Sequence, residues 1–242
     1  MSNKYSSYNG FNLVELAIII TIISLLITSI SAGRSIIHNS RLTNIIKNFN
    51  SYMAAIHNFK LEYNALPGDI SNAYNFFGID CDVKPEFCNG NGDGFITANT
   101  DNNDDETNRF WQHLYLSGYL TEYSTGKGGK ALSSPKGPIE GSSFIMEAYK
   151  FYDFTGKITV TNNLTFSYLY DFQGILAVQD AHNIDIKMDD GKAYSGNILA
   201  ADGNQYPNGT CTGSYITDYE SDYILTSTIP GCLLAYPYEF QN

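Results

Sequence analysis

The residues from Gly10 to Ala32 read GFNLVELAIIITIISLLITSISA, and they restrict what this chain can fold into more than any other stretch. After Gly10 there are one polar residue, Asn12, and one charge, Glu15; the rest is an almost unbroken apolar run. At roughly 1.5 Å per residue such a run covers the ~30 Å of a bilayer's hydrocarbon. A single membrane-spanning helix is the direct reading. Glu15 is expensive in that setting, about 2.5 to 3.5 kcal/mol on insertion scales, so something must neutralise it. Cutting the chain after Gly10 would supply the partner. Phe11 would then carry a free α-amino group one helical turn from Glu15, and amine and carboxylate could pair within a chain or between neighbouring chains.

A short polar leader with a lysine (Lys4), a Gly10/Phe11 junction, a glutamate five residues into the mature chain and an apolar helix together resemble the type IV pilin and type II secretion pseudopilin family. The resemblance covers residues 1 to about 63. It implies cleavage between Gly10 and Phe11 by a prepilin peptidase, N-methylation of Phe11, and assembly into a homo-oligomeric filament in which Glu15 pairs with the amine of a neighbouring subunit. It further implies other pilin or pseudopilin subunits and an assembly platform as partners. The location implied is the bacterial inner membrane, single-pass, with the remainder in the periplasm or in an extracellular filament. Two departures stand out: Asn12 replaces the family's usual threonine, and the apolar run lacks the proline many members carry, so a kink would have to rely on Gly33. Two other readings compete. One is an ordinary secretory signal cut near Ser29-Ile30-Ser31 and Ala32, although its apolar core would be overlong and would retain Glu15. The other is a plain signal anchor holding an unrelated domain.

From Arg34 the apolar pattern changes rather than stops. Leu42, Ile45, Ile46, Phe49, Tyr52, Met53, Ile56, Phe59 and Tyr63 recur at three- and four-residue spacing, the stripe of an amphipathic helix that packs on a core. A helix from Phe11 to about Tyr63 would be roughly 80 Å long. Leu66-Pro67-Gly68-Asp69 ends it, and Asp69 is expected to cap a short helix over residues 70–77. The Ala65-to-Asp69 stretch is also similar to one that follows the long helix in many pilin-like proteins. Roughly 180 residues remain, enough for one globular core. The division is therefore a leader (1–10), the membrane and filament-core half of the helix (11–33), its amphipathic half (34–63) and an extracytoplasmic domain (64–242). The expected class is α+β, pilin-like, with the long helix packed against a domain containing a small antiparallel sheet.

Fourteen Lys and Arg against 25 Asp and Glu give a net charge of -11, which argues against a nucleic-acid groove and against attraction to an anionic lipid surface. Nineteen Tyr and 14 Phe suit a β-rich extracytoplasmic domain. Cys81, Cys88, Cys211 and Cys232 all follow the membrane helix. In an oxidising compartment they form two disulfides, and pairing Cys81 with Cys88 and Cys211 with Cys232 is the simplest of three connectivities. The last pair also looks like the C-terminal disulfide loop of pilins. A metal site built on cysteine or the scattered histidines is not expected, since no C-x-x-C or Cys/His cluster exists.

The loop Cys88-Asn89-Gly90-Asn91-Gly92-Asp93-Gly94-Phe95-Ile96 carries the best chemical signal outside the helix. Asn89, Asn91 and Asp93 alternate, Gly94 permits a sharp turn and Ile96 can anchor the loop, as in the first half of an EF-hand calcium loop. The second half does not match: position twelve is Thr100, so closing the shell falls to Asp101, Asp104, Asp105 or Glu106. The candidate calcium ligands are Asn89, Asn91, Asp93, Asp105 and Glu106. The competing reading is a Gly/Asn turn followed by a solvated acidic run.

Asp104 or Asp105 can cap a helix from Glu106 to about Ser117, with Trp111 in the core. Residues 124–141 read as an exposed loop whose Gly126-to-Lys130 run lacks the spacing of a phosphate loop. Residues 144–154 and 158–170 read as antiparallel strands, with Asn162-Asn163 offering a turn. A helix over residues 174–188 is stopped by Asp189-Asp190-Gly191, whose acids are expected to cap and turn. The Ile184-to-Gly191 run, followed by Gly196, also resembles a helix-then-strand element of the pilin-like group. No nucleophile elbow, H-E-x-x-H or P-loop is present, so the expectation is a structural protein rather than an enzyme. The alternative is a membrane-anchored calcium-dependent binding module or adhesin whose helix is only a tether.

Overall fold

The structure, a computed structural model, describes residues 12–98, 105–152, 158–168, 172–205, 209–212 and 222–238. Helix α1 spans Leu13–Tyr63, followed by α2 (Tyr74–Phe77), α3 (Glu106–Leu116), α4 (Lys130–Ser133), strands β1 (Ser142–Tyr152) and β2 (Ile158–Tyr168), α5 (Val178–Met188), and strands β3 (Leu199–Asp202) and β4 (Cys232–Tyr238). The four strands form one antiparallel sheet in the order β1-β2-β4-β3. This is an α+β arrangement. The chain divides into two units at Arg41/Leu42, inside the amphipathic half of α1.

In the first unit α1 passes through Gly33 as helix, and its large apolar side chains from Leu13 to Ile37 are exposed. By length and composition this segment can cross a membrane. Its hydroxyls turn inward on the backbone: Thr21 Oγ1 donates to Ile18 O (2.8 Å), Ser24 Oγ to Ile20 O (2.7 Å) and Ser29 Oγ to Leu25 O (2.8 Å). Each of these hydroxyls is satisfied within the helix, as an apolar surrounding requires.

In the second unit the predicted stripe is buried. Leu42, Ile45, Phe49, Tyr52, Ala55, Ile56 and Phe59 enter a core shared with α3, α5 and the sheet. Phe144 of β1 meets Phe49 at 5.2 Å, Tyr52 at 5.1 Å and Phe166 of β2 at 4.9 Å, between ring centroids. Trp111 is 1 % exposed and lies edge-on to Tyr52 at 5.1 Å. The helix stops at Tyr63, three residues before the predicted breakers begin at Leu66. Asn64 takes the left-handed conformation (φ 52°) and its N–H bonds Lys60 O at 2.9 Å, a C-terminal cap that Asn tolerates better than most residues.

Four expectations change. Asp69 caps no helix: residues 71–73 form turns, α2 has only four residues, and the Asp69 carboxylate is engaged elsewhere. Asn162 and Asn163 form no turn: they lie inside β2, paired with Ala148 and Glu147 of β1, and are 2 % and 0 % exposed. Within residues 124–141, Ser133, Ser134 and Pro135 are buried and α4 interrupts the loop. Helix α5 begins at Val178 because Ile175 and Leu176 are already hydrogen-bonded to Cys232 O. Both disulfides join near neighbours, Cys81 to Cys88 and Cys211 to Cys232.

Candidate functional site

Two places hold the candidate residues, one in each unit. The first is the opening turn of α1. Asn12 Oδ1 accepts from Val14 N (3.3 Å), and Glu15 Oε2 accepts in return from Asn12 N (3.1 Å). This reciprocal pair is a capping box, with Asn12 at the N-cap and Glu15 three residues on. The Asn-x-x-Glu spacing carries that signal in the sequence. Gly10 and Phe11, the expected cleavage and methylation sites, lie outside the described residues.

The second is the loop of residues 89–97. Gly68, at φ 83°, comes so close to the start of α3 that a Cβ would sit 2.5 Å from Glu106 O. Gly90 in turn lies against residues 68 and 69, where a Cβ would meet Gly68 O at 2.3 Å. Three strings of backbone are thus stacked with no room for side chains between them, which is what the glycines make possible. Asp69 occupies the centre. Its Oδ1 accepts from Gly92 N (2.7 Å) and Asp93 N (3.0 Å), and its Oδ2 from Gly94 N (3.0 Å). Glu106 closes the other side: Oε1 accepts from Asn91 N (3.0 Å), and Oε2 from Thr97 N (3.0 Å) and Thr97 Oγ1 (2.9 Å). Asn162 ties the far end to the sheet, accepting from Ile96 N (2.7 Å) and donating to Gly94 O (2.8 Å).

Of the five expected calcium ligands, Asp93 and Glu106 come together, and Asp69 joins them. One oxygen from each of these three carboxylates lies within 4.8 Å of the others. Asn91 sits beside them, donating from Nδ2 to Asp93 Oδ2 (2.9 Å). Asn89 is used otherwise, its Oδ1 accepting from Tyr74 N at 2.9 Å. Asp105 is the N-cap of α3, accepting from Thr107 N at 3.0 Å. Thr100, Asp101 and Asp104 lie outside the described residues. Burial, with Glu106 and Asp93 adding like charge, raises the Asp69 carboxyl to about 6 in spite of its N–H donors. A carboxylate has about four acceptor positions. Asp93 Oδ1 accepts from Phe95 N (2.8 Å), and Asp69 Oδ2, Glu106 Oε1 and Asp93 Oδ2 each spend one position on the bonds above, so four oxygens of three carboxylates keep capacity for a hard cation.

His113 buttresses this site from α3. Nδ1 accepts from Gly68 N (2.9 Å) and Nε2 faces Cys88 O at 3.0 Å, so the neutral ring with its proton on Nε2 satisfies both. Burial, assisted by the Arg109 charge, lowers its pKa to about 3. Cys81 and Cys88, which lie near this ring, are joined to each other and hold no thiolate for a metal.

Elsewhere the acids organise backbone. Asp189 Oδ2 accepts from Ile198 N (3.2 Å), Asp190 Oδ2 from Ser195 Oγ (2.6 Å), and buried Asp185 takes Gly191 N on one oxygen and the Tyr223 hydroxyl on the other (3.1 and 2.7 Å). Asp202, at the end of β3, gathers the N–H groups of Gly209, Thr210, Cys211 and Thr212.

Among the described residues these elements make an α+β protein with one helix long and apolar enough to cross a membrane, a four-stranded antiparallel sheet and two disulfides. No protein-family model, no curated protein and no solved structure matches the chain.

Proposed function

We propose that this chain is a structural subunit of a helical filament of the type IV pilin or type II secretion pseudopilin kind, held in the inner membrane as a precursor, cut by prepilin peptidase after Gly10 and then packed into a fibre by its apolar segment. One observation supports the reading above all: a single continuous helix joins a buried, core-packing half to an exposed apolar half whose first turn holds Glu15. A tether would need only the apolar half. The capping box folds the Glu15 carboxylate back onto Asn12 N, next in the chain to the residue that would bear the new amine. In assembly the carboxylate of an incoming subunit pairs with the Phe11 amine of a neighbour, which sets the register and neutralises two charges that would otherwise be buried alone.

Intact mass spectrometry from hosts with and without a prepilin peptidase is the primary test. The expected mass is that of a chain starting at Phe11 with one methyl, found only with the peptidase. Glu15→Gln and Glu15→Ala then separate two roles of this side chain. Glutamine can serve in a capping box but carries no charge, so assembly lost in both variants supports charge pairing. Assembly kept in Glu15→Gln and lost only in Glu15→Ala would reduce Glu15 to a helix cap.

A second reading, a calcium-dependent binding module on a membrane tether, is favoured by the convergence of Asp69, Asp93 and Glu106. Those carboxylates would hold the ion, and calcium would supply charge neutralisation that locks the 89–97 loop to the start of α3. The two readings are compatible in one molecule, and leader cleavage distinguishes a filament subunit from a tethered module.

A further inference from the structure

Between Glu15 and Glu62 the long helix α1 carries no carboxylate, while Arg34, Arg41, Lys47 and Lys60 all fall within it. The net charge of -11 therefore belongs to the rest of the chain, and this stretch is locally basic. Arg34, His38 and Arg41 follow one another at spacings of four and three, which puts them in a single stripe on one face of the helix. All three residues are exposed, and no acid of α1 stands a turn away from either arginine. Residues 13–33 cover about 30 Å of helix axis, the hydrocarbon thickness of a bilayer, so Arg34 is the first residue beyond it and Arg41 stands about 10 Å further along. Helical side chains lean toward the N-terminus of their helix, so both arginines reach back toward the bilayer.

The neighbours of the stripe indicate what covers it. Ile36 and Ile37, between the arginines, are 69 % and 56 % exposed, so cationic and apolar side chains share the same two turns of helix. Water suits the first kind and not the second. The boundary of a bilayer suits both, with the isoleucines against acyl chains and the guanidinium groups against phosphate. The arginines also stand on the flank that the proposed topology exports, where such residues are ordinarily scarce, so they do not serve as a topology signal. Guanidinium is a planar fork of donors that matches phosphate oxygens, and a headgroup without a cation of its own leaves that phosphate unanswered. We infer that Arg34, His38 and Arg41 dock on the headgroups of anionic phospholipids, which fixes the depth at which residues 13–33 sit. The inference rests on the membrane-crossing reading of α1 and needs neither leader cleavage nor filament assembly.

Native mass spectrometry of the full chain in a non-ionic detergent, titrated with dioleoylphosphatidylglycerol or dioleoylphosphatidylcholine, measures the preference. The expected result is saturable binding of the anionic lipid at a midpoint about tenfold or more below that of the zwitterionic one. An arginine near an anionic surface is worth about a factor of five, so Arg34→Gln and Arg41→Gln should each raise the phosphatidylglycerol midpoint about fivefold, and the double variant about 25-fold. Lys47→Gln removes another exposed cation of α1, beyond the stripe, and should leave that midpoint unchanged. Equal midpoints for the two lipids overturn the inference, as does an unchanged midpoint in the double variant. So does an equal loss in Lys47→Gln, which would reduce the effect to general charge, and displacement of the lipid by sodium phosphate, which would make the stripe a free-anion site. Carbonate washing of proteoliposomes tests the span separately. Retention without lipid preference refutes the docking alone, and release refutes the membrane-crossing reading together with the docking that rests on it.

Discussion

Replacing Asp69 by asparagine keeps the shape of the side chain and removes its charge. In the folded chain the carboxyl titrates at about 6 against an ordinary 3.8, because it is buried and faces Glu106 and Asp93. That raised value has a definite sign: between the two pKa values the folded state binds more protons than the unfolded one, so stability from this group is present at low pH and lost as pH rises through 6. About two units correspond to ~3 kcal/mol. Below pH 4 the protonated acid and the amide are near-isosteres, and the two proteins should agree within ~1 kcal/mol. From there to pH 7 the wild type should lose ~3 kcal/mol relative to Asp69→Asn, groups away from this site contributing alike to both. The variant is therefore expected to be the more stable protein at pH 7 when divalent cations are chelated. Urea unfolding of the full chain in zwitterionic detergent with EDTA, followed by near-ultraviolet circular dichroism at pH 4, 5, 6 and 7, measures the difference. Parallel stability curves for the two proteins would show that the three N–H donors fully compensate the buried charge and would refute the reasoning.

Calcium should narrow that difference without reversing it. For an extracellular-type site of about 10⁻⁴ to 10⁻³ M affinity, 10 mM calcium adds ~1.4 to 2.7 kcal/mol to the wild type; Asp93→Ala should abolish the shift in calorimetry, and an equal shift in that variant would move the ion elsewhere. Asn162→Ala deletes the partners of Ile96 N and Gly94 O and should cost ~2 to 3 kcal/mol, with faster amide exchange at residues 94–96; unchanged exchange there would show that the loop holds itself. Loop-closure entropy makes the Cys211–Cys232 link, with a sequence separation of 21, worth ~3 kcal/mol and the Cys81–Cys88 link, with a separation of 7, slightly less. The double variant Cys211→Ser/Cys232→Ser should lose that much in urea unfolding, and a loss below ~1 kcal/mol would rule out the entropic account.

The parts of this fold that could be read from sequence are those whose cause lies within a turn or two of the residue. The Leu42-to-Phe59 stripe repeats with the helix, and Asp105 caps α3 two residues from its acceptor's donor, Thr107. Asn162 reads locally as a turn residue, because a buried asparagine in a strand makes sense only when a loop 66 residues away needs its carbonyl. Asp69 reads locally as the cap of the nearest helix start, whereas its partners stand 23 to 25 residues on. At the candidate cation site the acidic composition was legible and the set of residues that converges was not, because Gly68 and Gly90 decide which strings of backbone stack. Strand β4 went unnoticed for a different reason: Cys232 to Ala235 are all buried, so no alternation betrays it.

Strand β4 also governs when this domain can exist. It is the last described strand, yet it lies inside the sheet, with β2 on one side and β3 on the other, and β3 has no other strand partner among the described residues. Until residue 238 has left the ribosome, the β1–β2 hairpin and β3 have no strand to join them, and Cys211 has no Cys232 to oxidise with. The sheet therefore closes in one late step. A stop codon a few residues before β4 would leave a nearly full-length protein with no completed sheet and make it a substrate for quality-control proteases.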